Sequence, residues 1–345
     1  MRRRAEALSM RSDGVIGRGG ATPAGLFVAL DRLCPGRVRR SVSLAGISRW
    51  QVGGPADLLV EPQSAEEISA IQRLCRSAAV PLLVVGDTSN LLFADEGFRG
   101  VMMRIGRRMA AVSIAGTTVT AQAGVWMPHL AAAVARAGLS GIEHTGGIPG
   151  TFGGLVMMNG GSQRRGIGEH VTRVWAVDEL GEAVILSRED CRFAYRRSAM
   201  QDRAMAITAA ELTLDRGDAA TIRRAIIDIM AARRRKFPLK LPNCGSVFLS
   251  DPAIYETVGP PGHAIEQAGL KGLQAGQAQI SPLHANFIVN LGGATAQDIL
   301  TLIDIARTRV FDRTGHWLSC EVRHVGRDGT LRPADEVAAR AAQPS

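Results

Sequence analysis

The sequence predicts an α+β protein with more than one domain, and three observations lead to this fold class. Short apolar strand segments alternate with an amphipathic helical segment between residues 56 and 104. Alternating apolar and polar residues, typical of half-buried strands, follow in AVSIAGTTVTAQAG. The chain of 345 residues has 39 glycines and is 46% hydrophobic, which suits a soluble protein rich in tight turns.

The first block, residues 41–106, is predicted as a β-α-β-β unit. ADLLVEP (56–62) is a strand, and SAEEISAIQRLCRSAA follows as a helix that begins with a capping box of Ser64 and Glu67. PLLVVG (81–86) is the second strand, and LLFADEGFRGVMMRI contains two more around a turn. This order differs from the repeated β-α-β pattern of a Rossmann pair.

Two further blocks follow along the chain. The second, residues 107–214, combines the alternating strands with a helix at MPHLAAAVARAGL and a hairpin at RVWAVDELGEAVIL. The third, residues 215–327, opens with the helix AATIRRAIIDIMAARRRKF, stopped by Pro238, and contains a second capping pair, Thr295 and Asp298. No GxGxxG follows a strand, so the usual dinucleotide fingerprint is missing.

The two ends of the chain lie outside these blocks. Residues 1–40 carry arginines without the apolar core of a secretory signal, so we expect a disordered basic extension and a cytoplasmic protein. Residues 328–345 are predicted as a C-terminal tail. No apolar run approaches the roughly 18–20 residues of a spanning helix, so we expect no membrane insertion.

The formal charge of +9 makes an anionic partner a central question. Aromatic residues are only 4%, and the arginines are scattered without a nucleic-acid-binding signature, so we expect no nucleic-acid partner. Small anions, such as a flavin or nicotinamide pyrophosphate or a nucleotide sugar, fit equally well, and so does a solvated basic surface. Five cysteines without CxxC spacing favour neither disulfides nor a zinc site, and we expect no metal.

Three glycine-rich loops stand out: VGGPAD at 52–57, GDTSN at 86–90 and GGIPGTFGG at 146–154. Glycine allows positive φ angles and lets main-chain N–H groups approach a phosphate without an intervening side chain. Any one of these loops is explained equally well as a tight turn or a close strand crossing. Three of them together favour a pyrophosphate cradle.

Eight motifs in order resemble the UDP-N-acetylenolpyruvoylglucosamine reductase family. They are WQVGGPADLLVEP, VVGDTSNLLFADEGFRG, GIEHTGGIPGTFGGLVMMNGGS, FAYRRS, PNCGSVF, AGLKG, SPLHANFIVN and CEVR, and they cover residues 41–327. The resemblance implies a FAD-binding fold of the vanillyl-alcohol-oxidase type with two α+β subdomains, 41–106 and 107–214. It also implies a C-terminal α+β substrate-binding domain, 215–327.

The resemblance further implies the ligands and the type of enzyme. FAD binds without a covalent link, NADPH donates the hydride, and UDP-N-acetylglucosamine enolpyruvate is the substrate. The short interval between Arg196 and Ser246 resembles the shorter, second type of the family. We expect a monomer that catalyses a cytoplasmic step of peptidoglycan precursor synthesis.

The matching motifs also carry over the family's cofactor positions. They fall on Gly53, Gly54 and Pro55 near the flavin, Gly86, Ser89 and Asn90 at its pyrophosphate, and Gly147, Ile148, Pro149, Gly150 and Thr151 beside the ring. Lys271, Gln279 and His284 are predicted as weaker substrate contacts.

The family's three catalytic residues fall on Arg196 in YRRS, Ser246 in CGSVF and Glu321 in CEVR. Reduction of an enolpyruvyl group needs a hydride, a fixed cation for the developing negative charge, and a proton. Arginine pairs with a carboxylate through its planar fork, and the resemblance makes Ser246 the proton donor. Glu321 must then be protonated or tightly paired so that it does not repel the substrate.

Two segments depart from the family's motifs, and two alternative functions stay open. GDTSN has Asp87 and Thr88 where the family has small residues, and a carboxylate near a pyrophosphate repels it unless an arginine pairs with it. FLSDP replaces the Lys-Asn-Pro that commonly follows the catalytic serine. Taken singly, Ser246 also fits a turn hydroxyl.

The alternative functions are a flavin oxidoreductase of the same fold with another substrate, and a basic anion-binding or nucleic-acid-binding module without catalysis.

Overall fold

The predicted β-α-β-β segment forms the first unit of the fold. The computed structural model describes residues 23–250 and 252–341. The elements of the first unit are α1 (Pro23–Leu33), β1 (Val38–Ser43), β2 (Pro55–Val60), α2 (Ala65–Ser77), β3 (Leu82–Val85), β4 (Leu91–Phe93) and β5 (Phe98–Arg104). Four of these strands pair in the order β1-β2-β5-β3, in which β2, β5 and β3 are parallel. Both faces of β2 and β5 are largely buried, as is usual for strands within a parallel sheet.

Helix α2 begins at the predicted N-cap but forms only half of the predicted capping box. The Ser64 hydroxyl accepts a hydrogen bond from the main-chain N–H of Glu67, as expected. The Glu67 carboxylate pairs instead with the Arg37 guanidinium, at 2.7 Å from Nη2, and accepts a hydrogen bond from Gln63 N. This ion pair joins α2 to the chain just before β1.

The prediction that residues 1–40 form a disordered extension is wrong for residues 23–40, which contain α1 and the start of β1. Leu26, Leu30 and Cys34 are buried against the first sheet, because their spacing places them on one face of the helix. The neighbouring arginines hide this apolar face in the sequence. Residues 1–22 lie outside the described residues.

The second unit is an antiparallel sheet with short helices. Its elements are β6 (Val112–Ala115), β7 (Thr118–Gln122), α3 (Met127–Arg136), β8 (Leu139–Ser140), α4 (Phe152–Met157), β9 (Val171–Val177), β10 (Ala183–Ser187), α5 (Arg188–Cys191), β11 (Ala206–Thr213) and β12 (Asp215–Arg216). The main sheet has the order β10-β9-β11-β7-β6, and β9 and β10 form the predicted hairpin. Its apolar residues join those of α1, α2 and the first sheet in one hydrophobic core.

The third unit contains the remaining helices and two small sheets. Its elements are α6 (Ala219–Lys236), α7 (Pro252–Thr257), α8 (Pro261–Gln267), β13 (Gln274–Ala275), β14 (Ala278–Ile280), β15 (Ile288–Asn290), α9 (Ala296–Thr314), β16 (Arg323–Val325), β17 (Leu331–Pro333) and α10 (Ala334–Ala341). Helix α9 begins with the predicted capping box of Thr295 and Asp298. A separate core, which also includes Trp50 and Leu92 from the first unit, holds this unit together.

Helix α6 ends just before Pro238, as predicted, but it packs on the second unit. Its partners are α3 and the turn Glu143–Thr145, and Ile226 lies against Gly146. The helix predicted to open the substrate-binding domain therefore covers the flank of the preceding unit. The domain limits at residues 106, 214 and 327 remain predictions.

The C-terminal segment is part of the fold rather than a tail as far as residue 341. Strand β16 pairs in parallel with β4 of the first unit and antiparallel with β17. Helix α10 packs on α9 and buries Ala334 and Ala338 in the core of the third unit. Small alanine side chains allow this close packing, and they also make the segment look featureless in the sequence. Residues 342–345 lie outside the described residues.

The mixture of a largely parallel sheet, an antiparallel sheet and packed helices confirms the predicted α+β class. Among the described residues, none of the helices combines the length and the apolar character needed to cross a bilayer.

Candidate active site

A cavity of about 760 Å³ lies where the three units meet. Its wall includes the loop at residues 86–90 that follows β3 and the loop at residues 148–151 that precedes α4. The same wall includes Arg196, Ser246 and Glu321. The fold therefore brings together the three predicted catalytic residues and two of the three glycine loops.

The main chain holds Ser246 beside the segment that contains Glu321. The N–H of Glu321 donates to the carbonyl oxygen of Val247 at 2.8 Å, and Val247 N donates to Asn286 O at 2.9 Å. The Asn286 side chain both accepts from Phe248 N and donates to Phe248 O, each at 2.9 Å. These hydrogen bonds fix the turn that presents Ser246 to the cavity.

Cys244 joins this turn to the loop after β3. Its thiol is buried and donates to the carbonyl oxygens of Thr88 and Leu91 at 3.6 and 3.5 Å. Burial raises the pKa of Cys244 to about 12, so the thiol stays protonated and unreactive near neutral pH. Cys244, two positions before Ser246, is therefore a packing residue.

Arg196 and Glu321 form an ion pair in the cavity wall. Arg196 Nε lies 2.8 Å from Glu321 Oε1, and Arg196 Nη2 donates to Gly161 O at 3.1 Å. Asn90 Nδ2 donates to the main-chain oxygen of Glu321 at 3.0 Å. Burial raises the pKa of Glu321, and the charge of Arg196 opposes that rise. This geometry meets the requirement that the glutamate be paired or protonated.

The backbone at Arg196 is strained. Its φ angle is 54°, in the left-handed region that a residue with a long side chain seldom adopts. The strain occurs in a tight turn in which Ala194 and Arg197 exchange main-chain hydrogen bonds at 2.9 and 3.0 Å. Such strained residues concentrate at active sites, where the surrounding structure holds a side chain in a required direction.

The unusual residues of the GDTSN loop contact the segment ahead of β2. Thr88 Oγ1 donates to Ile47 O at 3.1 Å and accepts from Arg49 N at 3.2 Å. Asp87 Oδ2 lies 3.6 Å from Arg49 Nε. Burial raises the pKa of Asp87, whereas the charges of Arg49 and Arg104 oppose that rise. The carboxylate that looked repulsive in the sequence thus has a cation beside it.

The cavity wall suits an anionic dinucleotide. A Cβ on Gly86 would overlap the Thr151 hydroxyl, so glycine is what keeps space between the two loops. Arg233 Nε and Arg323 Nε are buried, both in residues of the same wall, and neither atom has a hydrogen-bond partner among the described residues. Glycine-lined loops and buried guanidinium groups together favour a pyrophosphate or a carboxylate. The residues present therefore fit FAD, which the two glycine loops would hold.

Two family models match the chain. One is described as the FAD binding domain and matches residues 56–187, and the other as the UDP-N-acetylenolpyruvoylglucosamine reductase C-terminal domain, residues 237–325. UDP-N-acetylenolpyruvoylglucosamine reductase 1 from Corynebacterium glutamicum is 49% identical over 88% of this chain and 90% of the relative. The chain belongs to the UDP-N-acetylenolpyruvoylglucosamine reductase family.

Other members of this reductase family agree with the assignment. The reductase from Heliobacterium modesticaldum is 40% identical over 81% of this chain and 88% of the relative. The crystal structure of the Thermus caldophilus reductase is 32% identical and superposes with a TM-score of 0.71, covering 84% of this chain and 98% of the other. Family membership confirms the resemblance, the enzyme class and FAD as the cofactor, and it removes the alternative of a module without catalysis.

Several residues predicted from the reductase motifs lie away from the cavity wall. Gly53, Gly54 and Pro55 pack between residues 44–45 and the turn at residues 94–97. Gly147 lies against the side chain of Arg233, which is a residue of the wall. Their predicted contacts with the flavin stay predictions.

The three predicted substrate contacts also lie outside this wall. Lys271 Nζ pairs with Glu266 at 2.6 Å, and Gln279 Nε2 donates to Gly272 O at 3.1 Å. His284 packs against Phe287, a residue of the wall, with ring centroids 5.1 Å apart. Burial lowers the pKa of His284 to about 4, so its ring is neutral near pH 7.

The sequence analysis did not predict Arg233 or Arg323 as a site residue. Arg233 is the first residue of the RRRK run at the end of α6, and only the packing of that helix separates it from its exposed neighbours. Its side chain lies against Phe237, and burial together with the charge of Arg196 lowers its pKa. Arg323 stands two positions after Glu321, at the start of β16. Side chains two positions apart in an extended segment point to the same side, so this spacing could have indicated that Arg323 shares the site of Glu321.

Proposed function

We propose that the chain reduces UDP-N-acetylglucosamine enolpyruvate to UDP-N-acetylmuramate with NADPH as hydride donor. The reaction is a cytoplasmic step of peptidoglycan precursor synthesis. The names of the relatives support this substrate. The observation that carries the proposal is the Arg196–Glu321 ion pair beside Ser246, in a cavity that the glycine loops share.

FAD held by the two glycine loops and reduced by NADPH would supply the hydride for the methylene carbon of the enolpyruvyl group. Negative charge then develops towards the substrate carboxylate, and the chain must stabilise it with groups already in position. The Arg196 guanidinium is suited to this task because the turn at residues 194–197 and the Gly161 carbonyl hold it. Arg233 and Arg323 add two further cations to the same wall.

Glu321 keeps the site electrostatically balanced. As a carboxylate it pairs with Arg196, and with its pKa raised by burial it can take up a proton when a substrate carboxylate arrives. The protonated form donates a hydrogen bond instead of repelling the substrate. Glu321 is therefore proposed to orient the carboxylate and its enol form together with Arg196.

Ser246 is the proposed proton donor to the carbon next to the carboxylate. Its hydroxyl is a weak acid, and the carbanion-like centre that it neutralises is basic enough to take the proton. The hydrogen bonds of Val247 and Phe248 to Asn286 hold the hydroxyl in place while the proton moves. Lys271, Gln279 and His284 remain proposed contacts at the substrate's outer edge.

The test is anaerobic stopped-flow absorbance in two stages. NADPH should bleach the flavin in the wild-type protein and in Ser246→Ala alike. Addition of UDP-N-acetylglucosamine enolpyruvate should restore the absorbance in the wild type and at least about a hundred times more slowly in Ser246→Ala, because a positioned acid contributes roughly 10²–10⁴-fold. Ser250→Ala, which removes a hydroxyl four positions further on, should behave like the wild type.

The outcomes separate the parts of the proposal. Bleaching without substrate-dependent recovery in the wild type would indicate a flavoenzyme with a different acceptor. Equal recovery rates in Ser246→Ala and Ser250→Ala would show that Ser246 is not the proton donor. Bleaching by NADH as fast as by NADPH would remove the preference for NADPH.

A further inference from the structure

The strained turn at residues 194–197 is held from outside by the segment that follows α4. The Asn159 amide nitrogen donates to the main-chain oxygen of Ala194 at 2.7 Å. The Ser198 hydroxyl donates to the main-chain oxygen of Met157 at 2.6 Å. These two bonds join segments that are distant in the chain, and they fix the turn just before and just after its strained residue.

Gln201 holds the strained position itself. Its amide Nε2 donates to the main-chain oxygen of Arg196 at 3.1 Å and to that of Met157 at 3.0 Å. Arg196 has a φ angle of 54°, which a side chain of this length seldom adopts without outside support. A return to negative φ would reorient the Arg196 carbonyl group and break the bond from Gln201.

The main chain around Gln201 is firmly anchored. Gln201 lies in the short helical turn Ala199–Asp202, and its N–H donates to Ser198 O at 3.2 Å. The preceding residue, Met200, is 1% exposed and belongs to the core shared by the first two units. The half-buried Gln201 side chain also contributes to the cavity wall. An anchored donor can oppose the strain, because it does not move when the turn tries to relax.

The conformation at Arg196 decides where its guanidinium lies. In this conformation Nη2 reaches the carbonyl oxygen of Gly161 at 3.1 Å, and Nε lies 2.8 Å from Glu321 Oε1. A change of φ would swing the Cα–Cβ bond and move the charge at the end of the long side chain. Displacements of about 1 Å can cost roughly 10²-fold in rate, even when their cause is remote from the chemistry.

We infer that Gln201 is a positioning residue of the reductase site. By donating to the carbonyl oxygens of Arg196 and Met157, it keeps Arg196 in the left-handed conformation that directs the guanidinium to the substrate carboxylate. The inference rests on the proposed function, because it assigns Gln201 to the half-reaction in which the enolpyruvyl group is reduced. Bleaching of the flavin by NADPH develops no charge on that carboxylate and is independent of Gln201.

The test is anaerobic stopped-flow absorbance of the full-length holoenzyme and three variants. Gln201→Met removes the amide donor and keeps an unbranched side chain of similar length. Gln201→Lys restores a donor, because an ammonium group has three N–H bonds and no acceptor. Gln267→Met makes the same change as the first variant at an exposed position of α8 and is the matched control.

Bleaching by NADPH should proceed at the wild-type rate in all three variants. Recovery at a saturating concentration of UDP-N-acetylglucosamine enolpyruvate should be roughly ten- to a hundredfold slower in Gln201→Met, because the guanidinium is misplaced in the bound complex. Gln201→Lys should regain most of the rate, and Gln267→Met should match the wild type. If thermal unfolding shows that Gln201→Met is not folded, Gln201→Asn tests the same point, because its amide falls about 1.5 Å short.

The φ angle of Arg196 provides a second readout that needs no substrate. Crystal structures of the wild type and of Gln201→Lys should both show a positive φ at Arg196. The crystal structure of Gln201→Met should show a negative φ and a longer distance between Arg196 Nε and Glu321. A wild type whose flavin does not recover would count against the proposed function alone, and the φ angle would then decide whether Gln201 positions Arg196.

Three results would overturn the inference. Recovery in Gln201→Met at the wild-type rate, or a positive φ at Arg196 in that variant, would show that the other bonds suffice to hold the turn. Equally slow recovery in Gln201→Met and Gln201→Lys would show that the donor is not what matters. A loss of the same size in bleaching and in recovery would indicate a general defect of the cavity.

Discussion

Two glycine loops of the first unit look alike in sequence and differ in what they contact. In VGGPAD, a Cβ on Gly54 would overlap the carbonyl oxygen of Asp95 and the main-chain nitrogen of Gly97. In GDTSN, a Cβ on Gly86 would overlap the side chain of Thr151 in the other loop of the cavity. The first loop needs glycine to bring two main chains together, and the second needs it to keep the cavity open.

This difference has a general meaning for flavin-binding folds. A glycine whose missing side chain would strike main-chain atoms serves folding, because no rotamer change can relieve the overlap. A glycine that faces a side chain across a cavity serves binding, because the neighbour can yield at a cost to the cavity's shape. Substitutions should therefore separate stability from affinity.

The largest effect is expected for Gly54→Ala. The added methyl group has main-chain neighbours on two sides, so the variant should lose about 3 kcal/mol of unfolding free energy. Thermal unfolding of the flavin-free protein measures this loss, and the flavin dissociation constant of the remaining folded protein should stay close to that of the wild type. A normal melting temperature with weakened flavin binding would reverse the roles assigned to the two loops.

Gly86→Ala should instead weaken flavin binding about tenfold or more, with a smaller change in melting temperature. The methyl group pushes the loop at 86–90 away from Thr151, and a misplacement of this kind disturbs every ligand contact that the two loops share. The Thr151→Ala change removes the overlapping hydroxyl but also the N-cap that accepts from Gly154, which costs about 1 kcal/mol. The double variant should recover part of the affinity lost in Gly86→Ala, and a strictly additive loss would contradict the overlap.

Acid should destabilise the region before the 148–151 loop. Burial, and after it the charge of Arg165, lowers the pKa of His144 to about 4, and neither of its ring nitrogens has a hydrogen-bond partner in the part of the chain that the structure describes. The unfolded state then binds more protons between its ordinary pKa, about 6.5, and pH 4, so stability falls as pH falls through this window. We expect His144 to contribute a loss of about 2 kcal/mol between pH 7 and pH 5, and His144→Leu should remove this contribution.

His284 provides the comparison for this acid effect. Burial also lowers the pKa of His284 to about 4, so this residue makes its own contribution to the loss of stability in acid. A His284→Leu variant should therefore keep the part of the loss that His144 causes. Urea unfolding at a series of pH values measures both. A pH dependence that is the same in the wild type and in His144→Leu would assign the effect to other groups.

The smallest effect is expected for Asp87→Ser. This change removes a carboxylate from the cavity wall and replaces it with a small hydroxyl, so flavin affinity should rise about threefold at low salt and less at high salt. Arg49→Gln leaves Asp87 without its cation and should lower the affinity by a similar factor. Fluorescence titration measures both changes, and a weaker binding of flavin by Asp87→Ser would show that the carboxylate contacts the ligand favourably.

Much of the local structure was predictable because its causes are local. The caps at Ser64 and Thr295 and the β9–β10 hairpin follow from side chains within a few residues of each other. The grouping of Arg196, Ser246 and Glu321 was predictable only through the order of the reductase motifs. No short-range pattern connects these three positions.

The rest depends on tertiary packing that a sequence pattern does not carry. Glycine looks the same whether a main chain or a ligand approaches it, so Gly54 and Gly86 could not be separated. The apolar face of α1 was masked by Arg32 and by the arginines that follow the helix. The Glu67–Arg37 pair likewise joins segments that only the folded sheet brings together.

The parallel pairing of β4 with β16 affects the synthesis of the protein. Asn90, just before β4, and Glu321, just before β16, bond to each other although 231 positions separate them in the chain. A ribosome that adds 5–20 residues per second needs roughly 10–50 s to cover that interval. During this time the nascent first unit has no partner for one edge of β4. A chain released before Glu321 is made would keep that edge open, so premature termination should yield an aggregating fragment rather than a smaller flavoprotein.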